Sequence, residues 1–179
     1  MATLNKPDLL RAMSAHVRSS GLAGATLRPL ARAAGTSDRM LIYHFGSKGA
    51  LIGALLDHLA DEILSALDAA LPAEPAADEA TCLGTIVGLM RTPTFRPYLR
   101  VWLDMLSAAG REDGDHVAAI RRLLMGQLDL ISARLPEGTA APRVRAKEML
   151  ALIQGALVLE VAGMTKAADT AIARFYPKG

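Results

Sequence analysis

Apolar residues recur at three- and four-residue intervals along almost the whole chain, interrupted by Gly, Pro and Ser/Thr, which is the rhythm of a set of α-helices. Leu9, Leu10, Met13 and Val17 predict an amphipathic helix over residues 8–20, closed by Ser20-Gly21. Leu27, Leu30, Ala31 and Ala34 give a second, short helix one apolar face. Thr26 stands where a cap belongs, Pro29 fits the first turn, and Gly35 ends it. Ser37 is placed to cap a third helix over residues 38–44, with Leu41, Ile42 and Phe45 facing inward. Phe45-Gly46 breaks that helix and Ser47 opens a long fourth one. Its stripe of Leu51, Ile52, Leu55, Leu56, Leu59, Ile63 and Leu67 runs to about residue 70.

Pro72 and Pro75, within LPAEPAAD, mark the clearest linker. Four further helical stretches are expected beyond it. They cover residues 78–91, about 95–109, 114–135, and a long last helix over 142–168 with a short tail helix to 175. No repeat of 20–50 residues and no low-complexity tract appears. A composition dominated by Ala, Leu and Arg, with 4% aromatic residues, favours the same state. The expected fold class is all-α.

Charge divides the chain. Residues 1–50 hold seven Lys/Arg (Lys6, Arg11, Arg18, Arg28, Arg32, Arg39, Lys48) against Asp8 and Asp38, whereas residues 51–179 hold 13 basic and 16 acidic residues. That split fits a basic module for a polyanion on a neutral-to-acidic body, or ordinary solvated surface charge. Cys82 is the only cysteine, which excludes an intrachain disulfide and a Cys-based zinc site. The opening MATLNKPDLL lacks the basic-then-apolar order of a secretory signal. The longest apolar run, residues 149–159, is broken by Gln154 and falls short of the roughly 18 residues a membrane span needs. A cytoplasmic protein is expected. His58 and Glu62 at i, i+4 beside Asp61 supply too few ligands for a metal, and the spacing around His16 and His116 suggests no convincing ligand set. With no phosphate-cradling Gly loop, Gly-x-Ser-x-Gly elbow or paired carboxylates, no enzyme, metal or cofactor is expected.

The segment 26–48, TLRPLARAAGTSDRMLIYHFGSK, carries the chemistry. Two short helices joined by a Gly-containing turn, with Ala31 and Ala34 small enough for a close crossing, are the plan of a helix-turn-helix. Its second helix would present Thr36, Ser37, Asp38, Arg39, Tyr43 and His44 outward. The Arg39 fork suits guanine O6 and N7, whereas Thr36, Ser37, Tyr43 and Lys48 suit phosphates, helped by the amide-rich start of helix four. Thr26 and Arg28 complete the candidate DNA-binding set.

These residues resemble the TetR-type transcriptional regulators. The shared pattern is Thr26, Leu30-Ala31, Ala34-Gly35, Ser37, Leu41, Tyr43, Phe45 and Ser47-Lys48, and the resemblance covers about residues 8–57. Two positions depart from it. Arg39 stands where the family usually has a small residue, which implies a different base preference. Ile42 replaces a usual Tyr, so a Tyr–phosphate contact either passes to Tyr43, about 100° further round the helix, or is lost.

The resemblance implies a DNA-binding domain at residues 1–46 and a helical effector-binding and dimerisation domain at 47–179, joined by the long fourth helix. It also implies a homodimer on a palindromic operator, acting as a repressor released by a small apolar effector. Candidate effector-pocket residues are Met90, Tyr98, Trp102, Met105, Leu106, Met125 and Leu128, with core packing as the alternative. Candidate dimer residues on two long apolar helices are Leu123, Leu124, Ile131, Leu150, Ile153, Leu157, Val158 and Val161. The competing function is a helical interaction protein whose basic N-terminus docks an acidic protein or a membrane surface.

Overall fold

A computed structural model describes residues 5–110 and 114–176, and all regular structure among these is helical. The helices are α1 (Lys6–Ser20), α2 (Leu27–Ala33), α3 (Asp38–Phe45), α4 (Lys48–Ala70), α5 (Glu79–Met90), α6 (Arg96–Ala109), α7 (Gly114–Arg134), α8 (Pro142–Val161) and α9 (Thr165–Phe175). A 3-10 turn, Leu22–Gly24, follows α1. The chain forms two units, Met1–Ser65 with Pro93–Leu123, and Ala66–Thr92 with Leu124–Gly179.

In the first unit, capping sets the helix starts. Asn5 accepts from the Asp8 N–H (2.9 Å), Ser37 Oγ from the Met40 N–H (3.3 Å) and Ser47 Oγ from the Ala50 N–H (3.1 Å). Thr26 precedes α2 but its side chain makes no cap bond, which corrects the expected role. The turn after α2 is a Schellman motif. Gly35 takes φ 62°, its N–H reaches the Arg32 carbonyl (3.1 Å) and the Thr36 N–H reaches Ala31 (2.9 Å). Both bonds close carbonyls that the short helix leaves open, and the left-handed residue redirects the chain into α3.

The core here is Leu9, Met13 and Val17 of α1, Leu30 of α2, Leu41 and Phe45 of α3, and Leu51, Leu55, Leu56 and Leu59 of α4, all buried. α6 grips the α1–α2 connection. Asp104 Oδ2 accepts from the Leu22 N–H (2.7 Å) and Arg100 Nη1 donates to the Ser19 carbonyl (3.3 Å). Arg18 of α1 pairs with Glu62 of α4 (2.5 Å) and lies 5.7 Å over the Tyr98 ring of α6. α1 and the turn after it are thus tied to both α4 and α6.

In the second unit the buried residues include Leu67 and Leu71, Cys82, Leu83, Ile86 and Val87 of α5, Ile131 and Leu135, and Met149, Leu150, Ile153 and Leu157 of α8. Gln154 Nε2 donates to the buried Gln127 Oε1 (2.9 Å). The expected single helix over 142–168 is two. Gly163 takes φ 76°, with the Gly163 and Met164 N–H groups bonded to the Glu160 (2.9 Å) and Leu159 (2.8 Å) carbonyls. The same Schellman closure ends α8, and α9 runs on to Phe175. Apolar residues flanking Gly163 hid this stop from a reading by periodicity.

Candidate nucleic-acid interface

Helix α3 buries Leu41 and Phe45 and leaves the rest of its circumference for other purposes. Tyr43 is 78% exposed and Arg39 is exposed, while Ile42, Asp38, His44 and the preceding Thr36 are half-buried. The Tyr43 and His44 rings meet edge to face, with centroids 5.6 Å apart at 76°. Ser37 is exposed, and its oxygen caps the helix while its O–H stays available to a further acceptor. Thr26, Arg28 and Lys48 are exposed as well. All nine candidate DNA-contacting residues therefore lie at or near the surface of one small module, Ile42 being turned only partly inward.

The electrostatics of this surface are set by the lack of internal partners. Arg28, Arg32, Arg39 and Lys48 make no ion pair or side-chain hydrogen bond among the described residues, and the segment's one acid is Asp38. Elsewhere in the first unit Lys6 sits 5.6 Å over the Phe45 ring, holding α1 to the end of α3. A cationic, solvated surface on a helix-turn-helix attracts a polyanion and can bond its phosphates without first breaking internal salt bridges. The chain position missed by the sequence reading is Met40, 41% exposed beside Arg39 and Tyr43. Its signal was present, since the rotation that sends Leu41 and Phe45 inward sends Met40 out.

The other candidate residues are dispersed. Tyr98, Trp102, Met105 and Leu106 fall in the first unit, and Met90, Met125 and Leu128 in the second. Trp102 and Met105 are buried, Tyr98, Met90 and Leu128 half-buried, and Leu106 and Met125 exposed. Met90 lines an apolar cavity of about 20 Å³ with Leu67, Leu71, Ile86, Leu130 and Ile131, enough for a single small molecule such as water. The Trp102 indole N–H is buried without a hydrogen-bond partner.

Of the candidate dimer residues, Leu123, Ile131, Leu150, Ile153 and Leu157 are buried within the chain itself. Val158 (50%) and Val161 (57%) are exposed, and Leu124 is half-buried. His58 Nε2 lies 3.7 Å from Glu62 Oε1, and Glu62 is already held by Arg18. No group of three metal-ligating side chains occurs among the described residues. Nor is any helix among them long and apolar enough to cross a membrane.

Residues 17–55 match the sequence model of the bacterial regulatory proteins of the tetR family. No curated protein matches the chain in sequence. Among solved structures, a transcriptional regulator from Rhodococcus sp. Rha1 is 22% identical, with TM-score 0.67 over 93% of this chain and 90% of that one. A TetR transcription regulator from Haloarcula marismortui is 19% identical, with TM-score 0.70 over 94% and 92%. The multidrug binding protein EbrR, solved with proflavin, is 21% identical, with TM-score 0.73 over 93% and 95%. The whole chain shares their all-helical fold. Residues 17–55 are thus similar to the N-terminal domain of the TetR family of bacterial regulatory proteins, and the rest of the chain shares only the fold of the solved structures.

Proposed function

We propose that the protein is a homodimeric, sequence-specific transcriptional repressor of the cytoplasm that leaves a palindromic operator when a small apolar effector binds. The observation that carries this reading is the surface of the helix-turn-helix, where four exposed cations, Arg28 and Arg32 on α2, Arg39 on α3 and Lys48 at the start of α4, stand unpaired. In this reading residues 1–46 bind DNA and 47–179 sense the effector and dimerise. Arg39 reads a guanine. Thr26, Arg28, Thr36, Ser37, Tyr43 and Lys48 position the module on phosphates, with Asp38 and His44 flanking them.

The effector reading is supported by EbrR, a fold neighbour whose structure holds proflavin. It is also supported by the buried Trp102 indole N–H of α6, which has no hydrogen-bond partner. α4 runs without a break from Lys48 to Ala70. A shift of the body on ligand binding would therefore change the spacing of the two recognition helices and their fit to successive grooves. Among the candidate dimer residues of α8, Val158 and Val161 are exposed and would meet a second copy. A protein acting in this way needs no catalytic residues.

The test is a salt titration of binding to duplexes selected from a random pool, with excess non-specific competitor. Specific binding that survives competitor while weakening with salt supports the reading. Binding lost equally to any polyanion would support charge docking instead.

A further inference from the structure

The inward pair Leu41 and Phe45 fixes what stands on the far side of α3. At about 100° per residue, Tyr43 lies roughly opposite the midpoint of that pair, with Arg39 about 40° and Met40 about 60° to either side. Exposure follows this geometry, high at Tyr43, Arg39 and Met40 and intermediate at Ile42 and His44. The outward face of the helix is thus a guanidinium, a thioether and a phenol.

Met40 belongs to the first turn, where its own N–H is bonded to the capping Ser37. In a helix-turn-helix this is the end that reaches base edges. Its side chain stands outside the core that Leu41 and Phe45 fill, and it has no donor with which to hold a phosphate. The apolar feature that a major groove offers at that depth is the thymine 5-methyl group. An unbranched, polarisable thioether adapts well to such a target.

We propose that Met40 is a specificity-determining residue that packs against a thymine 5-methyl group, next to the base pair read by Arg39. The proposal rests on α3 being the DNA-reading helix and names one base that the helix selects.

Duplexes selected by the full-length protein define the preferred half-site. Replacing each of its thymidines in turn by deoxyuridine removes the methyl group and nothing else. At one thymidine per half-site the wild-type protein should lose about fourfold in affinity, the equivalent of about 0.8 kcal/mol for one methyl-sized group. Met40→Ala should bind the thymidine duplex several-fold more weakly and bind both duplexes equally, whereas Met40→Leu should keep the discrimination. Wild-type indifference to every replacement, or discrimination retained in Met40→Ala, overturns the assignment. A protein that selects no duplex over competitor overturns the DNA-binding reading itself, so the two failures are told apart.

Discussion

The arginines of the second unit and those of the helix-turn-helix segment live in opposite circumstances. In the second unit Arg145 holds Glu79 through two nitrogens and reaches Glu148, while Arg91 bonds Glu160 and Asp169. Arg134 takes Asp68 and the Pro72 carbonyl, and Arg143 takes Asp129 (2.7 Å). Between residues 22 and 48, by contrast, Arg28, Arg32, Arg39 and Lys48 find no carboxylate at all. Helical fold and residue type are the same in both places. What differs is whether the neighbouring surface supplies acids, and that separates cations that tie helices together from cations left for a partner.

The largest effect should come from the unpaired set. Changing Arg28, Arg32, Arg39 and Lys48 together to Gln should lower the slope of log affinity against log salt by about 0.9 for each phosphate lost, about 3–4 units per protomer if all four meet phosphates. Binding at physiological salt should then be lost, while the melting temperature moves by no more than about 2 °C, as for other exposed positions. A large loss of stability in that variant would erase the contrast between the two arginine sets.

Arg145→Ala should do the reverse. It removes a two-nitrogen pairing with Glu79 and the contact over the Tyr176 ring (5.4 Å), so the melting temperature should fall by about 2–4 °C. DNA affinity should not change. Hydrogen bonding from Arg145 holds the Glu79 carboxyl below its ordinary value of 4.5. Its stabilising contribution is therefore complete above that value and is lost as pH falls through the lowered native value. Acid titration of stability should be flatter on that side in Arg145→Ala than in wild type, read by thermal melts at successive pH values.

The smallest effect concerns Cys82. Burial, with the Glu79 charge beside it, pushes its thiol up to about 11. It should react with a thiol reagent at pH 7–8 far more slowly than in the urea-unfolded chain, with no change in DNA affinity when it is replaced by Ala.

Much of this was legible in the residue order, because the helix-turn-helix is specified locally. The caps at Ser37 and Ser47, the Gly35 turn and the Leu41/Phe45 spacing act within a few residues, so reading them in order recovers α3 and the start of α4. The break at Gly163 was equally local but was masked by apolar neighbours that kept the helical period alive. Gly163→Ala, forced into φ 76°, should cost about 1–2 kcal/mol by thermal melting.

The packing of the body is not specified locally. A broad apolar face on α8 reads alike whether it meets its own chain or a second copy, and Leu150 and Ile153 turned out to lie in the chain's own core. Pairings such as Arg91 with Glu160, or Asp104 with the Leu22 N–H, join residues about 70 and 80 apart, and no local pattern announces them.

The central claim is that the outward face of α3 reads bases, and Arg39→Ala tests it most directly. Its affinity for the selected operator, and for each single-base variant of it, is measured beside wild type in the presence of competitor DNA. A loss of about 1–3 kcal/mol on the operator and relaxed discrimination at one guanine position are expected. Unchanged affinity and unchanged base preference would contradict the claim.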